Sequence, residues 1–439
     1  MSSNGTAKGK FSGKVGFVLA CVGSAVGMGN IWLFPYRLGQ YGGSAFLIPF
    51  VIFMVILGCS GVVGEIAFGR AMKTGPLGAF KKALQTRNIK HGHYLGAIPL
   101  VGCLLIGIGY SVIVGWVIKF IVGSVSGAVL HEESVEYFQS ITGNFSSVPW
   151  HLIALILTFI VMFFGVSGGI EKLNKIVMPA FFIMFLLLAI FVFFTPNSLE
   201  GYVYLFKPNW ECLANPKTWI SALGQAFFSL SLAGSGTIIY GSYLSDKEDV
   251  VSCAKNICFF SFIASILAAV VIIPAVFSFG LESELKSGPP LMFITMPMIF
   301  KLLPAGQLVA VVFFLAVLFA AITSLVNLFE APVEFFQSRF GLSRGKSVAI
   351  IGIVATIIGI LIENADVVGV WMDVLSIYIV PLGALLAGIM FFWICGKKFV
   401  HEQVGLGRKK PVGKFFDFTT RYVFVGLILI TYVVSIVFN

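Results

Sequence analysis

Two short glycine-rich stretches break long apolar runs. They are Gly23-Ser24-Ala25-Val26-Gly27-Met28-Gly29-Asn30 and Ala233-Gly234-Ser235-Gly236. Glycine costs about 1 kcal/mol per residue in a helix interior, so each run predicts a helix interrupted near its middle. Unwound backbone within a membrane persists where it lines a polar cavity. There the half-helix N-termini aim amides at an anion, and freed carbonyls hold a cation. A third apolar run carries Thr323, Ser324 and Asn327. Their spacing puts Thr323 and Asn327 on one helix face, with Ser324 beside them. Hard oxygen ligands of this kind suit an alkali cation. Each feature has a plainer reading. Gly23 and Gly27 also form a GxxxG packing face, and an isolated Ser or Thr often bonds its own helix. The matched second break favours a binding site. No Ser/His/Asp, paired-Asp or HExxH arrangement offers enzyme chemistry.

The elements that position these residues are membrane helices. Of 439 residues, 58% are hydrophobic and 11% charged, against about 25% charged in a soluble domain. The apolar runs are too long for barrel strands. Eleven spans are expected, at 15–38, 43–69, 95–124, 149–166, 172–195, 217–243, 253–280, 305–337, 347–363, 371–396 and 416–438. With the N-terminus in the cytoplasm, most of the 29 Lys and Arg fall on the cytoplasmic side. An odd count puts the C-terminus outside. The net charge of +10 therefore reports topology and implies no nucleic-acid partner. The seven cysteines lie mostly in apolar runs, so no disulfide framework is expected, and the five histidines lack metal-ligand spacing. The two breaks lie five spans apart, which predicts an inverted repeat of 15–195 and 217–396 with an extra helix at 416–438, all one transporter domain. Glu65 and Glu330, inside spans, are either functional carboxylates or buried structural acids.

The stretch Lys14 to Phe50, KVGFVLACVGSAVGMGNIWLFPYRLGQYGGSAFLIPF, resembles the first two spans of the neurotransmitter:sodium symporter family in its bacterial, eleven-span branch. QAFFSLSLAGSGTIIYGSY (Gln225 to Tyr243) resembles the family's sixth span, and AAITSLVNLFE (Ala320 to Glu330) its eighth. The resemblance implies an all-α LeuT-type 5+5 inverted repeat with discontinuous helices 1 and 6. It implies sodium-driven amino-acid uptake by alternating access across a bacterial cytoplasmic membrane, with no required protein partner. One sodium site would use Ala25, Asn30, Ser229 and Ser261, completed by the substrate carboxylate. A second would use Gly23, Val26, Ala320, Thr323 and Ser324. The carboxylate would meet Met28, Gly29 and Tyr110. The side-chain pocket would be lined by Ile106, Phe228, Ser231, Gly234, Ser324 and Leu328, with Asn327 nearby. Gly27 stands where monoamine carriers have an aspartate, which favours an amino acid. A proton-coupled carrier on the same fold, or a non-pumping channel or sensor, are the alternatives.

The departures from the family pattern are equally specific. Leu33 replaces the outer gate arginine, leaving Asp373 to pair with Arg37, a proton or a cationic substrate. Phe50 replaces the tyrosine of chloride-dependent members, while Ser265 keeps their serine, so little chloride requirement is expected. Lys8, Phe11 and Ser338 stand at the inner gate positions of an arginine, a tryptophan and an acid. Gly234 stands where many relatives carry Phe or Met, which predicts room for a bulky hydrophobic or aromatic substrate.

Overall fold

The computed structural model describes residues 9–286 and 290–438. Among them every regular element is a helix. Lys8 lies outside the described residues. The main helices are α1 (Lys14–Ala25), α2 (Gly29–Gln40), α3 (Ser44–Met72), α4 (His93–Ser126), α5 (Val148–Phe163) and α6 (Val166–Phe193). They continue with α7 (Pro216–Ser229) and α8 (Gly236–Ser242), then α9 (Val250–Ser278), α10 (Gly306–Phe340), α11 (Arg344–Leu361), α12 (Ala365–Ile394) and α13 (Lys414–Val434). Eight described helices are long and apolar enough to cross a membrane, nine if the bent pair α1–α2 counts as one span. The protein is thus a multi-pass helical membrane protein.

Both breaks occur where the glycines fall. Between α1 and α2 the axis turns by 57°. Val26 takes an extended conformation (φ −83°, ψ 90°) and its amide is the last to bond into α1, on Val22 O at 2.7 Å. The carbonyls from Gly23 onward therefore leave the helical ladder. Between α7 and α8 the chain runs through Ser231 (φ 53°) and Gly234 (φ 70°), both left-handed. Glu65 of α3 anchors this second break, its Oε1 accepting the Gly234 amide at 2.8 Å. It is the buried acid bonded to backbone that one reading of the sequence anticipated.

The other intramembrane acid has a different partner. Glu330 on α10 takes both Arg344 Nη atoms, at 2.9 and 2.8 Å, and the Tyr243 hydroxyl at 2.8 Å. Near the end of α10 the Ser338 hydroxyl returns to Phe335 O at 3.3 Å. Phe11 packs among Phe17, Tyr240 and Tyr243. Ser12 binds Glu171 of α6 through its hydroxyl and, at 2.8 Å, its amide. Lys175, one turn along, pairs with the same carboxylate at 2.6 Å.

Candidate functional site

The site grows from the break in α1–α2, because α10, α9 and α7 each bring oxygen atoms to it. On the α10 side, Thr323 Oγ1 lies 2.9 Å from Gly23 O and 3.0 Å from both Phe319 O and Ala320 O. Ser324 Oγ lies 3.1 Å from Gly23 O and 3.3 Å from Ser24 O. A hydroxyl carries one proton, so Thr323 satisfies at most one of its three carbonyls well. Oxygens outnumber protons here, and the surplus lone pairs suit a small hard cation. Gly23, Ala320, Thr323 and Ser324 meet as expected. Val26 is buried at the break, with its carbonyl beyond the ladder.

On the α9 side, Asn30 Nδ2 donates to Ser265 Oγ at 2.9 Å and to Ser261 Oγ at 3.2 Å. Its Oδ1 is buried without a partner among the described residues. An orphaned buried carbonyl costs about 1–3 kcal/mol, so the atom suits a cation as ligand. Ser261 Oγ donates to Ser229 O at 2.5 Å, which draws the two expected ligands together. Ala25 is buried at the end of α1.

Between the two oxygen clusters, the Ser324 and Tyr110 hydroxyls close over Gly27. A Cβ built on Gly27 would stand 2.9 Å from Ser324 Oγ and 3.0 Å from Tyr110 Oη. Only a glycine lets both hydroxyls approach the backbone so closely. Tyr110 Oη also accepts the Met28 amide at 3.0 Å, which fixes it at the mouth of the break. The Phe228 ring, 39% exposed, lies against Gly29, where any Cβ would collide with it. Ile106 and Leu328 are half-buried. Ser231 Oγ faces Ser24 Oγ at 3.2 Å, linking the two breaks.

Three expectations change on contact with the structure. Gly234 does not open a large pocket, since a Cβ there would run into the Gly383 backbone of α12. The volume of the absent side chain is filled by a neighbouring helix. Asn327 is turned to α8, its Nδ2 donating to Gly236 O at 3.2 Å. It braces the second break. Arg37 does not pair with Asp373. Its Nη1 donates to Gln225 Oε1 at 3.2 Å and Ser221 O at 3.3 Å. Asp373 is exposed and makes no ion pair among the described residues. The neighbouring Met372 points inward instead, with Sδ 2.8 Å from a Cβ built on Gly109, while Leu33 is half-buried on α2.

Gln225 ties the region together. Its Nε2 donates to Gly29 O at 3.2 Å and Ser229 Oγ at 3.1 Å. Phe50 packs with Phe34, Phe46 and Phe262 and brings no hydroxyl.

A model of the sodium:neurotransmitter symporter family matches residues 8–140 and 130–439, nearly the whole chain. The chain belongs to this family. It is 33% identical over 430 residues to the uncharacterized sodium-dependent transporter YhdH of Bacillus subtilis, covering 94% of this chain and 93% of that one. It is 31% identical over 297 residues to the mouse sodium-dependent neutral amino acid transporter B(0)AT3, covering 60% of this chain and 47% of the relative. Among solved structures, the crystal structure of MhsT in complex with L-phenylalanine aligns with a TM-score of 0.87 at 29% identity, over 98% of this chain and 100% of that one. This symporter is therefore a membrane transporter of LeuT-like fold rather than an enzyme.

Proposed function

We propose that the protein imports a neutral amino acid with a bulky hydrophobic or aromatic side chain, driven by sodium. The carrying observation is the pair of hydroxyls, Ser324 Oγ and Tyr110 Oη, that meet over Gly27 between two oxygen clusters. A substrate carboxylate that parts this pair meets two hydroxyls able to donate to it. Its negative charge lies beside a sodium ion held by Ala25, Asn30, Ser229 and Ser261. A second sodium belongs with Gly23, Val26, Ala320, Thr323 and Ser324. In a closed site neither the ion nor the carboxylate is well solvated alone, so each stabilises the other. That mutual dependence is the coupling a symporter needs. The preference for a bulky side chain draws on the likeness to MhsT, solved with L-phenylalanine, and on the apolar lining of Phe228, Ile106 and Leu328.

The energetics suffice. One charge crossing 100 mV is worth about 2.3 kcal/mol. Two sodium ions supply about 4.6 kcal/mol, roughly three decades of accumulation at about 1.4 kcal/mol each. In this reading, residues 15–195 and 217–396 are two inverted five-helix halves, with 416–438 an eleventh span. The broken pairs α1–α2 and α7–α8 sit at matching places in them. The amino terminus faces the cytoplasm of a bacterial cell, and the carboxyl terminus lies outside. Chloride is dispensable, since Phe50 has no hydroxyl and Gln225 Nε2 is bonded to Gly29 and Ser229. Uptake of radiolabelled phenylalanine or leucine into proteoliposomes tests this. Accumulation is expected under an inward sodium gradient, and unchanged when gluconate replaces chloride. Equal accumulation under a proton gradient without sodium would refute it.

A further inference from the structure

Asn174 is a polar residue at the first break that none of the expected ligands explains. It lies on α6 and is fully buried. Its Nδ2 donates to Ile170 O at 2.8 Å, one turn back along the helix. That bond fixes the amide plane and leaves Oδ1 without a partner among the described residues. Gly23 lies against this oxygen. A Cβ built on Gly23 would overlap Asn174 Oδ1 and come within 2.9 Å of Thr323 Cβ. So α6 delivers an unpaired amide oxygen to the place where α1 and α10 assemble their oxygen cluster. Simple packing against a glycine would be met by Ala, Leu or Ser. It gives no reason for a buried carbonyl dipole with no donor, which costs about 1–3 kcal/mol.

We infer that Asn174 Oδ1 is a further oxygen ligand of the cation held by Gly23, Thr323 and Ser324. The inference rests on the second-site reading above. It adds a third helix to the ion's coordination. The bonds of Glu171 to Ser12 lie one turn away on the same helix.

The test is a sodium titration of thermal stability on the purified full-length protein, without amino acid, with choline replacing sodium at constant ionic strength. Three variants are compared with wild type. Asn174→Leu keeps the branched shape and removes the oxygen. It is expected to raise the sodium concentration for half-maximal stabilisation about tenfold or more. Asn174→Asp keeps an oxygen and adds charge, and is expected to lower that concentration several-fold. Thr323→Val reports on the site itself and is expected to raise it. If Thr323→Val has no effect, the site is misassigned. If Thr323→Val weakens sodium binding and Asn174→Leu titrates as wild type, this inference alone falls. Should Asn174→Leu fail to fold, Asn174→Asp decides, and unchanged or weaker sodium binding would overturn the inference.

Discussion

Gly27 does its work through what it leaves out. The space its side chain would occupy is bounded by Ser324 Oγ at 2.9 Å and Tyr110 Oη at 3.0 Å. Gly27→Asp would place a fixed carboxylate there and displace the substrate's own. Hydrogen bonds to a charged group are worth about 1.5–3 kcal/mol each, so amino-acid affinity should fall about 100-fold or more. Equilibrium binding of labelled amino acid to folded, monodisperse protein checks this; retained affinity would mean the carboxylate sits elsewhere. The resemblance marked Gly27 because it stands where monoamine carriers have an aspartate. Asp373 was not legible in the same way. One residue along a helix turns the side chain by about 100°, and Met372 holds the inward direction that sequence matching offered to Asp373. Asp373→Asn should therefore transport as wild type. Arg37→Gln, which loses the bond to Gln225, should slow uptake several-fold, and the double variant should equal Arg37→Gln. A double variant that behaves differently from the sum would restore the Arg37–Asp373 pair.

At the scale of elements, the broken helices were the most readable feature, since glycine runs inside apolar segments have few other uses. What fills the space beside a break was not readable. Gly234 illustrates this. Its φ of 70° is costly for any side chain, and Gly383 of α12 closes over it. The left-handed conformation costs about 1–2 kcal/mol and the overlap about 1–3 kcal/mol. Gly234→Ala should thus lower the thermal midpoint clearly below wild type, and Gly234→Phe should yield little folded protein. A stable Gly234→Phe variant that merely favours smaller substrates would show that the glycine had been guarding pocket volume after all. Asn174 was missed for a related reason. A single polar residue in an apolar helix shows that it needs a partner, and only the packed neighbours identify which.

For the whole molecule, composition alone established the membrane class, and the end-to-end resemblance established the family before any coordinates. Contacts between distant segments, such as Ser12 to Glu171, are announced by no local pattern. The central claim is that one closed site holds sodium and a substrate carboxylate together, so that each tightens the other. Thermal stabilisation of the purified transporter by individual amino acids, measured with sodium and with choline in its place, tests it most directly. A large hydrophobic or aromatic amino acid should raise the midpoint strongly in sodium and hardly at all in choline, and Asn30→Ala should abolish the difference. Equal stabilisation in the two salts, or an Asn30→Ala variant indistinguishable from wild type, would contradict the account.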